Sequence, residues 1–184
     1  MARARTILSN EKFKLTIERL CHQLVENHPR FEHTCIIGIQ PRGIPLADRI
    51  VKRLRTMVKN PGFNYGKLDI TFYRDDFRIR ETPLEASTTE MEFLVEDKNV
   101  ILIDDVLYTG RTVQAALTAI NHYGRPRKVE LLALIDRRFN RHLPIHSDYT
   151  GMIVDALDEA YVKVEWEDID GTDKIKLYPK KANT

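Results

Sequence analysis

From Phe13 onward, Ile17, Leu20, Cys21 and Leu24 recur at helical spacing, and Ser9 or Asn10 stands where a cap is needed. The pattern predicts an amphipathic first helix behind a short polar leader. The run Cys35-Ile36-Ile37-Gly38-Ile39 is β-branched and continuously apolar, as a strand covered on both faces must be. It ends at a turn, Gln40-Pro41-Arg42-Gly43. Ala47, Ile50, Val51, Leu54 and Val58 trace a second helix, which Asn60-Pro61-Gly62 stops. Leu68, Ile70 and Phe72 alternate with polar residues and predict a strand with one face less buried. Residues 74–97 show no clear period, which suggests a mobile functional loop or a small hairpin. A second buried strand follows at 100–103. Val113, Ala116, Leu117 and Ile120 then define a helix that Gly124 closes, and 129–135 supplies a third buried strand. Beyond Gly151, strand-like pieces at 152–154, 161–164 and 175–178 are separated by acidic turns.

Strands alternating with helices predict an α/β fold with right-handed crossovers and a parallel core sheet flanked by helices. Its ligand site then lies beyond the carboxyl ends of the strands, where the unusual turns also leave. A chain of 184 residues with 42% hydrophobic content can bury one sizeable core, so residues 1–184 are expected to form a single domain. Lys and Arg number 29 against 27 Asp and Glu, and a net charge of +2 gives no global attraction to nucleic acid. Cys21 and Cys35 read as buried thiols in a reducing compartment. There is no secretory leader and no apolar run long enough to span a bilayer, so the expected location is cytoplasmic, away from the membrane.

The chemistry concentrates in Val100-Ile101-Leu102-Ile103-Asp104-Asp105-Val106-Leu107-Tyr108-Thr109-Gly110-Arg111-Thr112, a strand ending in two acids and then a small-residue turn opening a helix. Gly110 tolerates a tight bend. The N–H groups and hydroxyls around Thr109 and Thr112 can surround a phosphate at a helix N-terminus. Asp104 and Asp105 would repel that phosphate on contact, and fit ribose hydroxyls or the vicinity of a metal ion a short distance away. A Walker-type loop needs Gly-x4-Gly-Lys-[Ser/Thr] and a dinucleotide fold needs Gly-x-Gly-x-x-Gly; the sequence has neither.

This segment resembles the ribosyl-phosphate motif of the type I phosphoribosyltransferases. It is similar in particular to the bifunctional pyrimidine operon attenuator and uracil phosphoribosyltransferase family. The similarity continues in the same order through Gly38-Ile39 with Arg42-Gly43-Ile44, and Asp69-Ile70-Thr71 with Tyr73-Arg74-Asp75-Asp76. Asp136-Arg137, and Leu143-Pro144-Ile145 with Asp148-Tyr149, complete it. The resemblance implies a type I phosphoribosyltransferase fold, with a flexible catalytic loop over 74–97 and a hood with C-terminal strands over 151–184. It implies transfer of the phosphoribosyl group of phosphoribosyl pyrophosphate to N1 of uracil, giving UMP and pyrophosphate. Mg²⁺ would be held by substrate and water rather than directly by the chain. By the same resemblance Asp104, Asp105, Arg74 and Asp75 are the catalytic candidates. Leu107, Tyr108, Thr109, Gly110, Arg111 and Thr112 would hold the 5′-phosphate, Gln40, Pro41, Arg42 and Gly43 the pyrophosphate, and Arg137 with Val106 the base. A homodimer or higher homo-oligomer is expected.

Tyr108 stands where purine-salvage relatives carry an acid, which disfavours a purine base; a transferase for a different base is the alternative. Pro41 departs from the Thr of the regulatory relatives. Gly151-Met152-Ile153-Val154-Asp155-Ala156-Leu157 replaces their Gly-Lys-Asn-x-Pro-Thr-Ser run. An RNA-binding attenuation regulator sensing UMP is the second function class, with Arg19, His22, Arg138, Arg141 and His146 as candidate phosphate contacts. The same residues equally describe a solvated basic rim.

Overall fold

The computed structural model describes residues 4–75, 86–155 and 160–178. In chain order its elements are β1 (Arg5–Leu8), α1 (Asn10–Asn27), β2 (Thr34–Ile39), α2 (Ile44–Met57), β3 (Asn64–Leu68), β4 (Asn99–Leu107), α3 (Arg111–Ile120), β5 (Lys128–Arg137), β6 (Tyr149–Val154), β7 (Tyr161–Glu165), α4 (Glu167–Asp170) and β8 (Lys174–Tyr178). Single 3₁₀ turns at Thr71–Tyr73 and Asn121–Tyr123 follow β3 and α3.

Every residue of β2 is buried, because its β-branched run is sandwiched between two apolar layers. Alternation along the strand sends Ile36 into the layer with α1 and α2, and Cys35, Ile37 and Ile39 into the layer with α3. The five strands of this parallel sheet run in the order β3-β2-β4-β5-β6. After β2 the chain builds outward to β3, then returns past β2 to place β4 on the other side. The strand order reverses between β2 and β4, and an open parallel sheet gathers its ligand loops at such a point.

The apolar stripe of α1, Phe13, Ile17, Leu20, Cys21 and Leu24, is buried as expected, with Ser9 at the N-cap position making no side-chain capping bond. A second sheet, β1-β8-β7, is antiparallel and rests against the helical layer through Trp166. Its ring meets Phe13 edge-on at 5.3 Å, and the Arg49 guanidinium lies 5.0 Å from the ring centre.

Three expectations change. The polar leader holds β1, which closes on β8 some 170 residues away. Alternation at Leu68, Ile70 and Phe72 does not extend the strand: β3 stops at Leu68, and Asp69 Oδ1 accepts from the Thr71 N–H and hydroxyl, folding the chain into a 3₁₀ turn that leaves Phe72 69% exposed. The strand-like piece expected at 152–154 is the end of β6, paired in parallel with β5 in the main sheet.

Candidate active site

β4 carries its apolar run straight into two acids, and because β5 still flanks it there, both acids are buried, Asp104 at 6% and Asp105 at 4% exposure. Asp104 Oδ1 accepts the Asp105 N–H at 2.9 Å, and Asp105 Oδ2 accepts from Arg42 Nε at 3.3 Å. Burial, reinforced by the adjacent Asp105 carboxylate, pushes Asp104 well above the usual carboxylate range. Burial also pushes Asp105 up, and the Arg42 cation opposes it, leaving its pKa at about 6. Such a pair gains from partners that neutralise or hydrogen-bond it, such as sugar hydroxyls or a cation.

The turn after β4 bends at Gly110, whose φ of 92° is open to glycine with little strain and which caps α3. A Cβ there would stand 3.3 Å from the Leu143 Cβ. The first turn of α3 leaves N–H groups without intrahelical acceptors, and the Arg111 N–H already turns to Thr109 Oγ1 at 3.4 Å. From behind, the Thr109 carbonyl accepts the N–H groups of His142 (3.0 Å) and Leu143 (3.3 Å). The Arg141 guanidinium binds both the Tyr108 carbonyl and Asp136. Thr109 and Thr112 are half-buried, Arg111 is exposed, and Leu107 is buried in the core beneath.

The turn after β2 sits beside this cradle. Its Gln40-Pro41 bond is cis. Gly43 packs so closely that a Cβ would fall 2.4 Å from the Ile103 carbonyl oxygen and 2.7 Å from that of Ile39, so the turn is clamped between β2 and β4. Arg42 reaches Asp105 and, at 3.5 Å, the Tyr161 hydroxyl on β7. The Gln40 side chain donates to the Thr88 carbonyl at 2.8 Å.

Arg74 and Asp75 come to the same place from β3. Arg74 donates to Thr112 Oγ1 at 3.4 Å, and Asp75 pairs with Arg111. Asp76 and residues 77–85, part of the loop expected over 74–97, lie outside the described residues. At the end of β5, Arg137 is 6% exposed, and its guanidinium lies 3.9 Å from the ring centre of Tyr108. Its Nε and Nη2 have no hydrogen-bond partner among the described residues. Val106 is half-buried against the core below.

Two buried acids, an anion cradle, a second clamped turn and an unsatisfied guanidinium thus share one end of the sheet. A sequence family described as phosphoribosyl transferase domain matches residues 4–168. A bifunctional protein PyrR of Picosynechococcus sp. is 45% identical, the match covering 93% of this chain and 95% of that protein. That of Deinococcus radiodurans is 42% identical over 94% and 93%. The chain belongs to the bifunctional PyrR family of phosphoribosyltransferases. Two solved structures share the fold of this PyrR-family chain at low identity. A hypoxanthine phosphoribosyltransferase of Trypanosoma cruzi has TM-score 0.71 and 13% identity, covering 97% of this chain and 92% of that one. A hypoxanthine-guanine phosphoribosyltransferase of Bacillus anthracis has TM-score 0.70 and 15% identity, covering 97% and 99%.

The candidate RNA contacts of this PyrR-family chain divide. Arg19 and His22 are exposed on α1, with Arg19 donating to the Thr150 carbonyl at 3.1 Å. His146 is exposed, and Arg138 is exposed with Asp155 at 3.6 Å. Arg141 turns inward to brace the turn after β4, so it does not join an outer basic face. Sequence reasoning missed Asp69, Thr88, Thr89, Tyr161 and the bracing role of Arg141. Asp69-Ile70-Thr71 signalled a turn through its Asp-x-Thr spacing, while nothing local marks the threonines.

Proposed function

We propose that this chain transfers the phosphoribosyl group of phosphoribosyl pyrophosphate to N1 of uracil, forming UMP and pyrophosphate, and that it joins this chemistry to control of pyrimidine genes. The observation that carries the reading is Arg137, a buried guanidinium with two nitrogens free to donate, stacked on Tyr108 beside the anion cradle. Uracil offers carbonyl acceptors to such donors, and Tyr108 supplies no acid to a purine imidazole.

In the reaction the cradle of Tyr108, Thr109, Gly110, Arg111 and Thr112 holds the 5′-phosphate by N–H and hydroxyl donation at the start of α3. Asp104 and Asp105 accept from the ribose hydroxyls and favour positive character as the bond to pyrophosphate lengthens. Arg42 exchanges Asp105 for the departing pyrophosphate, which it meets as a planar, multi-donor cation. Arg137 orients the base so that N1 faces the anomeric carbon. Asp104 and Asp105, buried side by side, offer hard oxygen acceptors to the ribose hydroxyls and would meet a hard divalent ion only through substrate and water, so Mg²⁺ is read as substrate-bound. When bound, it neutralises charge on the leaving group.

UMP seated in the same site would serve the regulatory half, with Arg19, His22, Arg138 and His146 offered to RNA. No helix among the described residues is long and apolar enough to cross a membrane, and a cytoplasmic location agrees with the two free thiols. The deciding assay measures nucleotide formed from phosphoribosyl pyrophosphate and Mg²⁺ across uracil, hypoxanthine, guanine, adenine and orotate. UMP alone is expected; a purine nucleotide as the main product overturns the base assignment.

A further inference from the structure

The turn after β2 is held by more than its own strand. Its first side chain, Gln40, donates Nε2–H to the Thr88 carbonyl at 2.8 Å, and its backbone N–H donates to the Leu68 carbonyl at 2.9 Å. Thr88 begins a short extended piece that adds itself to the free edge of β3. Lys67 and Glu90 exchange both main-chain bonds there, at 3.0 and 2.8 Å, and their side chains pair at 3.0 Å. The Asp69 N–H donates to Thr89 Oγ1 at 3.1 Å. Gly66 lies against this piece so tightly that a Cβ would sit 2.8 Å from Met91 and 3.1 Å from the Glu90 carbonyl oxygen. Residues 88–90 are therefore fixed to β3 on one side and to the turn at Gln40 on the other.

We propose that Gln40 is a positioning residue that splints the pyrophosphate-binding turn to residues 88–90, rather than a ligand of the pyrophosphate. The inference rests on reading residues 40–43 as the pyrophosphate turn. Arg42 and Gly43 are anchored by Asp105, Ile103 and Ile39, but at the Gln40 end no other side-chain bond among the described residues holds the turn. The Thr88 carbonyl is a main-chain group that mutation cannot remove, so the position depends on a donor of the right reach at residue 40. A bound pyrophosphate that orders the turn also orders residues 88–90, because one hydrogen bond joins the two.

The test compares Gln40→Met, which keeps length and loses the donor, with Gln40→Lys, which restores an N–H at similar reach. Binding of pyrophosphate with Mg²⁺ and of UMP is measured by calorimetry, and amide exchange of residues 86–93 is followed with and without pyrophosphate. In the wild type, pyrophosphate slows that exchange. Gln40→Met weakens pyrophosphate about fivefold, the value of one hydrogen bond of about 1 kcal/mol, and leaves UMP within about twofold. In that variant pyrophosphate no longer slows exchange at 86–93, and Gln40→Lys restores both properties. The proposal is overturned if Gln40→Met binds pyrophosphate normally, or if Met and Lys behave alike. It is also overturned if affinity drops while exchange still responds to pyrophosphate, since that marks a direct ligand. A wild type that binds pyrophosphate with slowed exchange yet makes no nucleotide from any base defeats the transferase reading and leaves the splint standing.

Discussion

Arg137 stacks its guanidinium 3.9 Å from the ring centre of Tyr108, and although it is buried, its Nε and Nη2 find no hydrogen-bond acceptor among the described residues. An unpaired buried cation costs about 1–3 kcal/mol or more. Arg137→Met is expected to raise the melting temperature of the ligand-free protein while lowering kcat/KM for uracil about 100-fold, roughly 3 kcal/mol of lost orientation. Scanning calorimetry and steady-state kinetics check the two halves. A variant both less stable and fully active would show that the guanidinium serves packing alone.

The acid pair sets a pH dependence of definite sign. With a folded pKa of about 6 for Asp105 and a higher-than-usual value for Asp104, the folded state holds more protons than the unfolded chain, whose carboxylates titrate near about 4. Stability therefore falls as pH rises from about 4 through about 6 as Asp105 ionises, and falls further as Asp104, held well above the usual range, loses its proton. Asp104→Asn with Asp105→Asn should raise the melting temperature more at pH 7.5 than at pH 4, and abolish turnover at both. Melting curves across pH supply the measurement.

Activity of the native chain follows the same titration in the opposite sense. Ribose hydroxyls and a divalent ion favour the ionised pair, so kcat/KM for phosphoribosyl pyrophosphate is expected to rise as pH climbs through about 6. A flat profile from about pH 5 to 8 would remove the carboxylates from the rate-determining chemistry.

Two glycines separate binding from stability. At Gly43 an added Cβ meets main-chain oxygens at 2.4 and 2.7 Å, so Gly43→Ala must push β2 and β4 apart and is expected to cost about 3 kcal/mol or more in urea unfolding. At Gly110 the neighbours are side chains and the difficulty is a φ of 92°. Gly110→Val should cost less stability and weaken UMP and phosphoribosyl pyrophosphate more, by about 10-fold or beyond, as calorimetry can establish.

On RNA the side chains make a split prediction. Arg19→Ala should reduce RNA affinity and its salt slope by about 0.7–0.9 without altering kinetics. Arg141→Ala should impair UMP binding as well, because that side chain holds the Tyr108 carbonyl. Binding is expected to be modest and steeply salt-dependent. Filter binding at several salt concentrations, paired with UMP calorimetry, decides it; an Arg141→Ala protein that loses RNA alone would return that residue to the outer surface.

What could be read in the sequence was what is local in it. The run from Val100 to Thr112 announced strand, turn and helix because burial, glycine geometry and phosphate donors all lie within a few residues of one another. β1 could not be read, since Arg5-Thr6-Ile7-Leu8 becomes a strand only by meeting β8 from the far end of the chain. Phe72 misled because alternation describes a half-buried strand and an exposed turn equally well. The burial of Asp104 and Asp105 depended on β5 running alongside them, and the inward turn of Arg141 on an acid five residues earlier, Asp136. Thr88 and Thr89 carried no signal because their partners, Gln40 and Asp69, are distant in sequence.

The two turns proposed to hold anions leave from neighbouring strands, one after Ile39 of β2 and the other after Leu107 of β4, with Gly38 opposite Ile103 as the last shared rung. Adjacent strands stand about 4.8 Å apart by main-chain bonding alone. The sheet is thus a caliper, and Gly43, seated on the Ile103 carbonyl, is the stop that sets its jaw. On the proposed assignment, a ligand would be gauged first by the distance between its two charged ends, a dimension written in backbone and beyond the reach of most substitutions. On the same assignment, what hangs off to one side would be judged separately by Arg137 and Tyr108, so the identity of the base could drift while the gauge for the activated sugar stays fixed.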